Sequence, residues 1–124
     1  MAENLIAAVI EDNEDLAFVF GKALEEAGYQ VVSFLDGESA QEYLAKNVPD
    51  IVILDLHLPK ISGESLFRQI RSSKRMARTK IFLATADSRL AEALQPEADL
   101  VLLKPVSYTQ LKELALRYKN AAGE

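Results

Sequence analysis

Five side chains suited to holding a cation or handling a charged group stand at the ends of four short apolar runs. Glu11 and Asp12 follow Leu5–Ile10, Asp55 follows Ile51–Leu54, Thr85 follows Ile81–Ala84, and Lys104, with Pro105 behind it, follows Leu100–Leu103. If the runs are neighbouring parallel strands, three carboxylates, a hydroxyl and an ammonium meet at one edge of one sheet. Open α/β sheets bind ligands at that edge. Like charges ~4 Å apart repel by roughly 4 kcal/mol at an effective dielectric of about 20, so a chain that gathers three carboxylates usually has a use for a cation among them.

The elements that must position these residues can be read between the runs. Each run is rich in Ile, Leu and Val and apolar at nearly every position, the pattern of a strand covered on both faces. Glu14–Ala27 places Leu16, Val19, Phe20, Ala23, Leu24 and Ala27 at helical spacing, and Gly28 follows where a left-handed cap belongs. Gln30–Phe34 reads as a further strand, and Asp36 caps a helix carrying Ala40, Tyr43 and Leu44. Pro49-Asp50 restarts the chain into the strand that ends at Asp55. Ser62 caps a helix through about Ser73, with Leu66, Phe67 and Ile70 inward. Asp87–Leu94 is a short helix stopped by Pro96. The last helix opens with a capping box from Ser107 to Gln110 and buries Leu111, Leu114, Ala115 and Tyr118.

Strand and helix thus alternate five times, which predicts a single three-layer α/β domain with right-handed crossovers. It is expected to occupy residues 1–120, with 121–124 as a frayed polar tail. At 124 residues the chain buries about two-thirds of its unfolded surface, enough for one domain.

Composition narrows the function classes. With no cysteine, neither a disulfide framework nor a thiolate metal site is available. The first apolar run has no basic segment before it and is too short for a signal peptide or a membrane span, so the expected location is the cytoplasm. A net charge of −5 argues against a general nucleic-acid binder. One local exception holds Arg68, Arg71, Lys74, Arg75, Arg78 and Lys80 with no acidic residue between them. It reads first as a solvated helix end, where cations are favoured, and second as a docking patch for an acidic partner.

With these motifs in order, the chain resembles a receiver domain of the two-component response-regulator family over nearly its whole length. Glu11-Asp12 matches the family's acidic pair. Asp55-Leu56-His57-Leu58-Pro59 with Gly63 matches its Asp-x-x-Met-Pro-x-x-x-Gly segment, with Leu58 in place of Met, and Thr85-Ala86 and Lys104-Pro105 match the other two signatures. The resemblance implies a flavodoxin-like (βα)5 fold with a five-stranded parallel sheet in the order 2-1-3-4-5. It also implies Asp55 as phosphoacceptor and Mg²⁺ as cofactor. Asp12 and Asp55 would ligate it directly, Glu11 directly or through water, and the His57 backbone carbonyl would complete the protein's share. Lys104 would pair with one phosphoryl oxygen and the Thr85 hydroxyl would hydrogen-bond another, with the Lys104-Pro105 peptide cis. The donor would be a His kinase or His-phosphotransfer protein, and the recipient of the signal an output domain or protein. The chain would be no enzyme beyond catalysing its own phosphorylation and dephosphorylation. His57, the only histidine, is read as lining the mouth of the site rather than as a phosphohistidine or a side-chain ligand; its position and that of Asp87 influence phosphoryl loss in the family.

Two departures bear on output. Val101 stands where receivers usually carry an aromatic residue, so the usual Thr–aromatic coupling cannot operate. The interval from Thr85 to Lys104 is also short, clipping the fourth helix. They motivate an alternative: an atypical receiver acting as a protein-interaction module with phosphorylation weak or uncoupled from output. A haloacid-dehalogenase-type phosphatase is disfavoured, because His57 stands where a second Asp is needed and no cap has room. Flavin binding is disfavoured for want of a Ser/Thr/Gly-rich phosphate loop. Leu100 and Tyr108 are candidates for a homodimer surface.

Overall fold

A computed structural model describes residues 4–122. β1 (Ile6–Ile10), β2 (Gln30–Phe34), β3 (Ile51–Asp55), β4 (Lys80–Thr85) and β5 (Leu100–Leu103) form one parallel sheet in the order β2-β1-β3-β4-β5. Successive strand residues face opposite sides, so the near-continuous apolar runs divide into two cores. Ala8, Ile10, Val52, Leu54, Ile81 and Leu83 pack under α2 (Gly37–Leu44), α3 (Gly63–Ser72) and α4 (Ser88–Leu94). Ala7, Val9, Ile51, Ile53 and Phe82 pack under α1 (Glu14–Glu26) and α5 (Tyr108–Ala122). This is the expected three-layer α/β sandwich.

The helices begin where local chemistry stops the strands. Asp36, Ser62 and Ser107 each accept a backbone N–H from three residues on, at 2.7, 3.1 and 2.9 Å, satisfying donors that a helix start leaves free. Asp87 caps α4 through Arg89 and Leu90, and Asn13, which the spacing does not single out, caps α1 through Leu16. Gly28 adopts φ +101°, the left-handed conformation expected after α1. The inward stripe of α1 centres on Ala17, Phe20, Gly21 and Leu24, so Leu16 and Val19 lie at its half-buried margins.

Two details depart from the sequence pattern. The run Leu100–Leu103 implies cover on both faces, yet β5 is an edge strand and Leu103 is 51 % exposed. The segment expected as a tail begins inside α5, which runs to Ala122; Gly123 and Glu124 lie outside the described residues. Leu100 and Tyr108 are half-buried against the α1–α5 core. Among the described residues, no helix is long and apolar enough to cross a membrane.

Candidate functional site

Parallel pairing sets Ile10 beside Leu54, Asp55 beside Ala84 and Thr85 beside Leu103, so the residues that end β1, β3, β4 and β5 arrive at one level. Glu11, Asp12 and Asp55 each offer a carboxylate oxygen within 4.8 Å of the others. Glu11 and Asp55 are almost wholly buried, at 1 % and 3 % exposure, while Asp12 faces solvent. Lys104 reaches between the buried pair, its Nζ 3.0 Å from Glu11 Oε1 and 3.3 Å from Asp55 Oδ1. The Lys104-Pro105 peptide is cis, and the Lys104 backbone N–H donates to the Thr85 carbonyl at 2.7 Å.

Further contacts hold the constellation. The His57 backbone N–H donates to Asp55 Oδ1 at 3.1 Å, and Glu11 Oε2 accepts the Asn13 N–H at 3.2 Å. Among the described residues, the hydrogen bond and the ion pair to the Asp55 carboxylate both fall on Oδ1. The Thr85 hydroxyl accepts the Asp87 N–H at 3.0 Å and lies 2.8 Å from His57 Nε2. Sequence reading did not foresee that last contact, because only strand register brings positions 57 and 85 together. Gly63 has a clear steric reason: a Cβ there would stand 2.1 Å from the Asp55 carbonyl oxygen and 2.6 Å from Leu56 Cα. α3 therefore starts directly against the backbone that carries Asp55. Leu58, in place of the family's Met, is buried in the α2–α3 core.

The electrostatics are those of a site short of positive charge. Burial raises the Glu11 carboxyl above its ordinary value, and its hydrogen bond with Lys104 offsets only part of that. Burial alone would lower the Lys104 ammonium, but its bond to Glu11 and the charges of Asp55 and Glu11 together hold it above the usual lysine value. Lys104 is charged, because it faces two carboxylates. Three clustered carboxylates thus stand against one ammonium, which contacts two of them. An all-oxygen, hard donor set with surplus negative charge fits a divalent cation of the Mg²⁺ type.

Half of the cations in the basic stretch from Arg68 to Lys80, which begins inside α3, are committed within the fold. Arg68 pairs with Glu97 and, at 3.9 Å, with Glu64. Arg71 bonds Asp99 at 2.5 Å and the carbonyls of Glu97 and Thr79, and Arg75 donates to the Leu44 carbonyl at 2.7 Å. Val101 is half-buried against the core beneath α2, α3 and α4 and presents no polar group.

Comparison with known proteins agrees with this geometry. The family model described as response regulator receiver domain matches residues 7–116. The phosphate regulon transcriptional regulatory protein PhoB of Rhizobium meliloti is 36 % identical over 107 residues, which is 84 % of this chain and 47 % of that protein. The chain thus spans about half the length of that relative. The probable methanogenesis regulatory protein FilR2 of Methanothrix harundinacea is 30 % identical, over 93 % of this chain and 81 % of its own length. Among solved structures, the receiver domain of the sensor histidine kinase PA1611 of Pseudomonas aeruginosa, described with a magnesium ion in its active-site cleft, aligns at TM-score 0.82. It is 26 % identical and covers 95 % of this chain and 99 % of that one. The chemotaxis response regulator CheY4 of Vibrio cholerae shares the fold at TM-score 0.83 and 22 % identity, over 94 % of this chain and 99 % of that one.

The chain belongs to the response regulator receiver domain family. It is a receiver homologous both to response regulators and to receivers of sensor kinases, and its fold is the flavodoxin-like one expected from the sequence.

Proposed function

We propose that Asp55 accepts a phosphoryl group from a His kinase or a His-phosphotransfer protein, and that the resulting charge switches the domain's contacts with an output domain or protein. The observation that carries this reading is the Asp55 carboxylate, buried beside Glu11 with the Lys104 ammonium 3.3 Å away. Phosphoryl transfer needs positioning and charge neutralisation more than covalent assistance. The site offers both.

An Asp55 carboxylate oxygen attacks the phosphorus of a phosphohistidine. The new P–O bond forms as the P–N bond breaks, and the imidazole leaves with the electron pair and takes up a proton. The His57 N–H fixes the carboxylate through Oδ1, which leaves Oδ2 as the oxygen with no hydrogen bond among the described residues. Lys104 then pairs with a phosphoryl oxygen as a compact point charge, and the Thr85 hydroxyl donates to another. Glu11, Asp12, Asp55 and the His57 carbonyl are the groups that would hold Mg²⁺, which when bound supplies positive charge against the carboxylates and the phosphoryl oxygens. Water attack on the phosphorus of the acyl phosphate breaks its P–O bond to Asp55, releasing inorganic phosphate and restoring the carboxylate; the domain's catalysis is confined to its own phosphorylation and dephosphorylation. We assign it to the cytoplasm, with residues 1–120 as the receiver unit.

Intact mass after incubation with acetyl phosphate and Mg²⁺ tests this, beside an EDTA control and Asp55→Asn. The expected result is a gain of one phosphoryl group that needs Mg²⁺ and Asp55. No gain, with Mg²⁺ binding confirmed, would overturn it and favour a phosphorylation-independent interaction module.

A further inference from the structure

Resting on the phosphoacceptor reading, we propose that His57 is a positioning residue for Thr85. In the free domain its Nε2 holds the single proton of the Thr85 hydroxyl, and a phosphoryl group on Asp55 must draw that proton away. The argument is one of counting donors and acceptors. A threonine hydroxyl has one proton and two lone pairs. One lone pair already accepts the Asp87 N–H at 3.0 Å. Thr85 is fully buried, so solvent does not reach its hydroxyl, and His57 Nε2 at 2.8 Å is the acceptor within reach among the described residues. A buried donor left without a partner is costly, so the proton goes to Nε2. That places the ring's own proton on Nδ1, which an exposed histidine can give to water. Val101 contributes no competing polar atom.

The consequence is a competition inside the site. The hydroxyl proposed to bind a phosphoryl oxygen is engaged by His57 before phosphorylation. Strand β4 and the start of α4 are tied to the loop after β3 through this contact and the Asp87 N–H. Removing the imidazole frees the proton and favours the phosphorylated arrangement.

Affinity for beryllium fluoride with Mg²⁺, a stand-in for the phosphoryl group, tests the proposal in wild type, His57→Ala, His57→Gln, Thr85→Ala and the His57→Ala/Thr85→Ala double variant. His57→Ala is expected to bind about two- to tenfold tighter, the worth of one neutral hydrogen bond. His57→Gln, whose amide oxygen can accept the same proton, stays near wild type. In the Thr85→Ala background the His57 effect vanishes, since the pair acts as a unit. Weaker binding by His57→Ala, or a gain that persists without the hydroxyl, overturns the proposal. A second readout stands apart from Asp55 chemistry: ¹⁵N spectra of the free domain with its imidazole neutral. They should show Nε2 unprotonated, with a resonance that moves in Thr85→Ala. A protonated Nε2 refutes the positioning role. Failure of the wild type to bind beryllium fluoride refutes the phosphoacceptor reading instead, while the ring spectrum still decides the hydrogen bond.

Discussion

Two charged clusters sit at opposite ends of β4, and they are built on opposite terms. At its amino end, Arg68 and Arg71 face Glu97 and Asp99, sign for sign. Asp99 also accepts the Ile81 N–H at 2.7 Å, so the cluster fastens α3 to the start of β4 and the approach to β5. At the carboxyl end, Glu11, Asp12 and Asp55 crowd together beside a single ammonium, that of Lys104, which pairs with Glu11 and Asp55, the two buried carboxylates. Matched charge contributes to holding the fold. Surplus charge works against it, and persists only where the surrounding structure imposes it and a ligand can relieve it.

Substitutions can break this contrast. The largest effect is expected where the fold forces the surplus together, at Gly63→Ala. A methyl group there meets backbone rather than a pliable side chain, so the substitution costs about 3 kcal/mol or more and displaces Asp55. Denaturant unfolding measures the first and phosphoryl uptake the second; wild-type values for both would show that the close approach is unimportant.

Asp99→Ala comes next, removing the partner of both Arg71 and the Ile81 N–H. About 2 kcal/mol of stability should be lost, since a half-buried donor is left unpaired. Phosphorylation of the folded fraction should be unaffected. Asp55→Asn should do the reverse: stability rises by about 1 kcal/mol as like-charge repulsion is relieved, while phosphorylation is abolished. Equal signs for these two variants in the same unfolding assay would erase the distinction between the clusters.

The smallest effect belongs to the exposed Arg68–Glu97 pair. Its hydrogen bond with Arg68 holds the Glu97 carboxyl below the ordinary 4.5. A depressed carboxylate contributes above its unfolded value and loses that contribution as pH falls through the folded one. Glu97→Gln should therefore barely move Tm near neutrality and should flatten its decline below pH 4.5. An unchanged acid limb would show that the pair contributes nothing.

Much of the architecture was legible along the chain because its signals are local. Ile51–Leu54 announces a buried strand, Asp36, Ser62 and Ser107 announce helix starts, and Gly28 announces a left-handed stop, each by interactions spanning a few residues. Glu11, Asp12, Asp55, Thr85 and Lys104 were legible as strand-end residues for the same reason. Tertiary structure alone decided what their side chains do to one another. Register across β3 and β4 is a long-range pairing, and it sets His57 against Thr85, a contact with no sequence signature. Packing of α3 on the Asp55 backbone turned Gly63 from a motif letter into a steric requirement. Glu97 and Asp99, which Arg68 and Arg71 meet, lie 26 to 29 positions away, so half of the cations in a stretch that reads as a solvated basic helix end are paired once folded. Local propensity writes the elements in order; close approach between distant segments, which only the folded chain brings about, determines which charges are matched and which are left for a ligand.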